Sequence, residues 1–473
     1  MPAAMNRRRF GALLAGLAAS GRAQITRPER RGAAQRILVV GGGLAGLCSA
    51  YELSRQGHDV LLFEAQTRPG GRVKTLREGL GLGLTAEAGV ARIPDTHGFT
   101  LHYAREFGLE LEPFRPAELD DTYFIRGRSY RVTRKTAVEW PLDLTPEERK
   151  AGLSGLQERY IDSVVRSLGH SDLNAQLPPE ISRYDGMTFR ESLLKAGLSR
   201  DAVHLLTLGF NADVGSAAWW LLDELNYHSE KTLSHIKGGN DLLPRAIATR
   251  LEECVRYGSP VVSIGQNDSS AWVVVERLGE RQLIRGQHVI CTAPFSVARK
   301  MFSEARLAPD KQDSINSQEY TPATKVFLQT RSNFWRPEGL SGFAYTDLPL
   351  ERLWTFDRVN SRSLLIAYTE AAGALRLDAM SPSERLDQVF VEARRVFPKL
   401  SEEFEGGVSN SWKNDQWQRG AWAQYNVGQI RNIPLNARRE GRIHFAGEHT
   451  SCWNGWMQGA LESAHRVIHD VNG

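Results

Sequence analysis

A chain of 473 residues is long enough to bury at least two cores. With 24% charged and 41% hydrophobic residues it has the make-up of an ordinary globular protein, which excludes a disordered or fibrous chain. The net charge of +4 is small, and much of the excess lies in Arg7, Arg8, Arg9, Arg22, Arg27, Arg30 and Arg31 near the start. No basic stripe stands in a readable motif, so no nucleic-acid partner is expected.

Taken in chain order, the first segment is Asn6-Arg7-Arg8-Arg9-Phe10, which resembles a twin-arginine export signal. The apolar stretch Gly11 to Ala19 behind it is too short to span a bilayer. Small residues then allow cleavage after Ala23, so residues 1–23 read as a signal peptide and the mature protein as periplasmic or secreted. No later window is apolar enough for a membrane span.

The next element has a mechanism. A branched run, Ile37 to Val40, ends at Gly41, and a helical pattern (Leu44, Leu47, Ala50, Tyr51, Leu53) follows. Gly41 suits the tight turn, Gly43 lets the backbone approach a pyrophosphate, and Gly46 lets the helix pack close to the strand. A second strand, Asp59 to Phe63, ends in Glu64, an acid placed to accept from ribose hydroxyls. Near the other end stand His444 to Thr450 and Trp453-Asn454-Gly455-Trp456, read as the far wall of the same site. Cys48, Cys254, Cys291 and Cys452 are scattered, and neither they nor the twelve histidines show metal-ligand spacing. No disulfide framework and no metal are expected.

Several of these phrases resemble the flavin amine oxidase family, and within it the L-amino acid oxidase branch. Glu64-Ala65 followed by Gly70-Gly71-Arg72 is similar to that family's FAD-approaching segment. Ala88-Gly89-Val90-Ala91-Arg92-Ile93-Pro94 resembles the phrase whose arginine binds the substrate carboxylate, and a planar guanidinium suits that task. Helical periodicity from Leu144 to Tyr227, with breaks at Pro178, Pro179 and Gly186, is similar to the branch's helical insertion. Ile236 to Pro244 then resembles the return to the FAD domain, and a strand at Val261 to Ile264 follows. A hairpin of Ala271–Glu276 with 287–291 is expected to lead to Thr292-Ala293-Pro294 beside the cofactor.

Thr321 to Leu328 resembles the strand whose lysine, here Lys325, bonds through a water to the flavin. Leu364 to Tyr368 resembles the strand whose tyrosine joins the arginine on the carboxylate. Ser411 to Asp415 and Gly420-Ala421-Trp422 resemble the segment beside the flavin ring; no cysteine stands near Ala421, so FAD is expected to be non-covalent. Trp422 and Trp456 match the aromatic walls, and the Gly455 carbonyl is offered to the substrate amine. Glu370, two residues past Tyr368, departs from the branch; an acid among aromatics needs a partner, and a cationic substrate side chain would supply one.

The resemblance therefore implies an α/β (α+β) fold: a discontinuous Rossmann-like FAD-binding domain (36–72, 239–310 and 436–473), a mixed-sheet substrate domain (73–130 and 311–435) and a helical domain (131–238). It implies a catalytic set of Lys325, Arg92, Tyr368 and Trp456, with Glu370, Trp422 and Gly455 completing the substrate site. It implies a cofactor cradle of Gly41, Gly43, Gly46, Glu64, Ala65, Gly71, Arg72, Ala91, Arg92, Val261, Trp412, Glu448, Gly455, Trp456 and Met457. The reaction implied is oxidation of an L-amino acid, basic or bulky, by hydride transfer from Cα to the flavin, giving 2-oxo acid, ammonia and, from dioxygen, hydrogen peroxide. An amine or polyamine oxidase, a tryptophan monooxygenase-like enzyme and a non-catalytic flavoprotein are the rivals, and a homodimer stays open.

Overall fold

The computed structural model describes residues 29–81, 83–114, 119–133, 138–169, 177–228, 232–355 and 362–472. The expected signal peptide, 1–23, lies outside the described residues. Among those residues no helix is long and apolar enough to cross a membrane.

The first βαβ unit forms where the sequence implies it, as strand Arg36–Val40, helix Leu44–Arg55 and strand Asp59–Phe63. Ile37, Leu38, Val39 and Val40 are all buried, as a strand covered on both faces requires. The sheet is wholly parallel and five-stranded, in the order Val255–Arg256, Asp59–Phe63, Arg36–Val40, His288–Cys291, Ile443–Phe445. Its strands come from three separated stretches, so this Rossmann-like layer is discontinuous. Helices Leu44–Arg55 and Met457–Asn472 share one apolar core against it.

The expected hairpin is different. Ala271–Arg277 pairs with Glu280–Gly286 and with Val261–Gln266 as a three-stranded antiparallel sheet, while His288–Cys291 enters the parallel sheet. Leu278 and Gly279, both at positive φ, close a two-residue turn between the paired Arg277 and Glu280. Most of Glu280–Gly286 is exposed and shows no apolar alternation, whereas Val289, Ile290 and Cys291 form the continuous buried run of a parallel strand.

The second large sheet is mixed and seven-stranded, in the order Phe404–Ser411, Ala323–Thr330, Ser363–Glu370, Arg352–Thr355, Leu340–Thr346, Asp120–Ile125, Arg128–Val132. The last strand carries this sheet two residues past position 130. Alternation along the strands sorts side chains by face. Val326, Leu328, Leu353, Leu365 and Ala367 pack into one core with helix Pro382–Val396. Phe327, Trp354, Leu364, Ile366 and Tyr368 pack on the opposite face. Register then sets Lys325 opposite Tyr368, and Tyr368 opposite Arg352, in one row across three strands.

The segment between the two large sheets' strands is helical. Thr145 and Glu148 form a capping box on Pro146–Gln157, and Glu148 also accepts from Ser199, the cap of Arg200–Leu206. Helix Ala217–His228 then leads to strand Leu233–Ile236, which pairs with Ile93–Pro94 and Leu111–Pro113.

Gly46 is where this fold is tightest: an added Cβ would run into the Gly41 carbonyl oxygen, and Thr292 Oγ1 stands 2.9 Å away. Overpacking of this kind costs about 1–3 kcal/mol. Gly46→Ala is therefore expected to lower unfolding free energy by about that amount and to copurify with less flavin. Chemical denaturation and flavin absorbance of the purified variant check this, and wild-type values for both would contradict it.

Candidate active site

Two cavities share a wall. The first, about 130 Å³, runs along the carboxyl ends of the parallel strands and is lined by Gly41, Gly43, Glu64, Ala65, Gly71, Arg72, Val261, Glu448, Gly455, Trp456 and Met457. The second, about 410 Å³, lies between the mixed sheet and the helical segment and contains Ala91, Arg92, Lys325, Tyr368, Glu370, Trp412 and Trp422 on its walls. Arg72, Val90, Ala421, Gly455 and Trp456 line both, so the two spaces meet there. Of the expected cradle residues, Gly46 lines neither and serves the packing of helix on strand.

The lining of the first cavity suits a dinucleotide. Gly41 takes φ +103°, and a Cβ on Gly43 would stand in open space beside the start of helix Leu44–Arg55. Backbone N–H groups at that helix start favour an anionic pyrophosphate. The Glu64 carboxylate accepts from Gly42 N at 2.5 Å and Gln66 N at 2.7 Å, which fixes it at the cavity wall. Burial raises its pKa above the ordinary carboxylate value while those two N–H groups pull it down.

Glu448 joins the chain's two ends. It accepts from Arg72 Nη1 at 2.6 Å, Asn454 Nδ2 at 2.7 Å and Gly455 N at 3.0 Å. Arg72 also donates to Ala421 O at 3.1 Å, so one guanidinium holds three segments at the shared wall. Gly89 is required nearby, because a Cβ there would collide with the Arg72 carbonyl. This close crossing aims the loop 88–94, and Arg92 with it, into the second cavity.

In that cavity the Arg92 guanidinium lies 4.8 Å from the Trp354 ring centre and 5.3 Å from that of Trp456. Tyr368 meets Trp354 edge-on at 4.9 Å and Trp422 at 6.4 Å. Lys325 Nζ donates to Glu87 O at 3.0 Å and Gly89 O at 2.6 Å and lies 4.9 Å from the Tyr368 ring centre. Burial pushes Lys325 down to about 7, against the pull of the Glu87 carboxylate, and burial likewise pushes Glu87 up to about 7. Trp412 is anchored by its indole N–H on Ala88 O at 2.9 Å.

Glu370 does line the cavity, but its partner is internal. Arg352 Nη2 donates to its carboxylate, and Arg352 Nη1 donates to Gly209 O at 2.7 Å. The cation expected from a substrate is thus supplied by the chain itself. Arg352, buried at 2% exposure, was missed because its acid partner is on the neighbouring strand and no local pattern links them. Trp354, packed between Arg92 and Tyr368, and Asp223, which accepts from Trp456 Nε1 at 2.8 Å, were also missed. His97 packs edge-on against Trp453 and Trp456, and burial lowers it to about 3, so it is neutral. All four cysteines are free thiols, and among the described residues no group of His, Cys, Asp or Glu could hold a metal.

A discontinuous dinucleotide fold opening onto an aromatic second cavity defines a flavoprotein oxidoreductase of a small substrate. The sequence profile of flavin-containing amine oxidoreductases matches residues 44–472, and the chain belongs to that family. It is an oxidoreductase acting on amines, and its cofactor is FAD. Among curated relatives, the L-amino-acid oxidase of Gloydius blomhoffii is 30% identical over 93% of this chain and 89% of its own. That of Notechis scutatus scutatus is 29% identical over 93% and 87%. Among solved structures, a putrescine oxidase bound to putrescine superposes with TM-score 0.78 at 21% identity over 93% of this chain and 99% of that one. Cyclohexylamine oxidase from Brevibacterium oxydans gives 0.79 at 21% identity over the same shares. These two share the fold.

Glu448→Leu removes the common acceptor of Arg72, Asn454 and Gly455. Breaking a buried pair in this way costs about 3–5 kcal/mol, so the variant is expected to melt well below the wild type and to release FAD on gel filtration. A melting curve superimposable on the wild type would show that the two ends are held by something else.

Proposed function

We propose that the chain is an L-amino acid oxidase, converting an L-amino acid to a 2-oxo acid, ammonia and hydrogen peroxide. The observation that carries this reading is Arg92: a guanidinium set between two indoles in the cavity that Tyr368 also lines suits a substrate carboxylate. An amine without a carboxylate has no use for it. The names of the curated relatives support the same reading.

Bound FAD supplies a two-electron acceptor that dioxygen regenerates with release of peroxide. Gly41, Gly43, Glu64, Arg72 and Glu448 would hold it, non-covalently: of the cysteines, Cys452 lines the second cavity, and burial pushes its thiol up to about 12. The protein's own part is positioning. Arg92 and Tyr368 fix the carboxylate, and the Gly455 carbonyl would take the amine. Trp422 and Trp456 confine the α-carbon and exclude water. Lys325 uses two of its three N–H bonds on backbone carbonyls and keeps the third for an ordered water. The cavity, about 410 Å³ and lined also by Leu153, Trp219 and Trp220, leaves room for a bulky or long side chain. The twin-arginine-like residues 1–23 support export to the periplasm or beyond.

A second reading, an amine or polyamine oxidase, is favoured by the carboxylates that line the cavity. Arg92→Leu separates the two. Loss of a buried charge partner costs roughly 30-fold to several thousand-fold, so kcat/KM for L-amino acids is expected to fall by that much while the decarboxylated amines change little. Equal loss for acids and amines would leave Arg92 a structural residue and favour the second reading.

A further inference from the structure

Asp223 is an acid on the wall of the second cavity for which neither the flavin cradle nor the carboxylate pair has a use. It stands on helix Ala217–His228, the wall that the helical segment contributes to the second cavity. The side chain is accessible from the cavity whose wall it forms. Its depth in the protein raises its carboxyl above the ordinary value, while the Trp456 N–H and the Arg92 charge pull the other way. Oδ1 accepts from Trp456 Nε1 at 2.8 Å, and the carboxylate has no other hydrogen-bond partner among the described residues.

The charges in this cavity do not balance once a substrate carboxylate arrives. Arg352 and Glu370 neutralise one another. Asp223 and Glu224 are the other carboxylates on the cavity walls, and Arg92 offsets their charge only until a substrate carboxylate takes it. A substrate that fills the cavity and takes Arg92 with its carboxylate leaves Asp223 with a single neutral donor, which is costly unless a cation comes with the substrate. The spacing is suitable. The Trp456 indole touches both groups, with Arg92 over its face at 5.3 Å from the ring centre and Asp223 on its N–H. Both groups therefore lie within reach of the two ends of one long basic amino acid. The wall between is aromatic, as methylenes require.

Building on the L-amino acid oxidase reading, we propose that Asp223 is the specificity residue of this site, binding the ammonium or guanidinium terminus of a basic L-amino acid. It takes the part that the sequence assigned to Glu370.

Asp223→Asn keeps an acceptor for the Trp456 indole and removes the charge. The holoenzyme and this variant are compared on L-lysine against L-norleucine and on L-arginine against L-citrulline. The wild type is expected to favour each basic member; in the variant kcat/KM for the basic members falls at least about 30-fold, chiefly through KM, and the neutral members stay within about threefold. As a binding readout, 6-aminohexanoate is expected to inhibit the wild type more strongly than hexanoate, and Asp223→Asn to erase the difference. Parallel losses on basic and neutral substrates, or a wild type that favours the neutral members, would overturn the proposal while leaving the L-amino acid reading intact. A wild type that oxidises only the decarboxylated amines would end that reading, and this assignment with it.

Discussion

The site depends on one buried carboxylate. Glu448 is read by a guanidinium from the start of the chain and by an amide and a backbone N–H from its end, across 376 positions in the case of Arg72. Each contact alone is ordinary. Together they fix the turn 453–456, so the Trp456 ring stands against Arg92 and the Gly455 backbone lies at the shared wall of both cavities. An uncompensated charge at this depth would be costly, which is why the acid is surrounded by donors.

A second constraint acts from the mixed sheet. Strand register lines up Lys325, Tyr368 and Arg352, so the tyrosine ring lies between two cations, at 4.9 Å and 4.3 Å. Each cation is satisfied away from the ring, Lys325 by two carbonyls and Arg352 by Glu370 and the Gly209 carbonyl. The cavity is therefore charged but locally balanced. Arg92 and Asp223 are the two groups whose balance a substrate can change. Aromatic walls raise the strength of every such interaction by keeping water out.

Much of this was legible in the sequence. The βαβ unit reads directly because a continuous apolar strand, a glycine turn and an amphipathic helix each obey one local rule. The strands bearing Lys325 and Tyr368 read because their alternation is strong and their phrases resemble a known family. Glu280–Gly286 did not read, since an exposed strand leaves no apolar pattern. Asp223 did not read because an acid after Leu221 and Leu222 looks like the solvent face of an amphipathic helix; only the tertiary fold turns that face into a cavity. Glu370 was found as a cavity acid but given the wrong partner, because pairing across strands is set by register rather than by sequence spacing.

The central claim is that this family fold, with Arg92 in an aromatic cavity, acts on the α-amine of a carboxylate-bearing substrate. The most direct test is peroxide release by the purified yellow wild-type protein against L-amino acids, their D-enantiomers and their decarboxylated amines. The account predicts peroxide, ammonia and 2-oxo acid in equal amounts from L-amino acids and none from the other two sets. Peroxide from the amines with no response to any L-amino acid would contradict it.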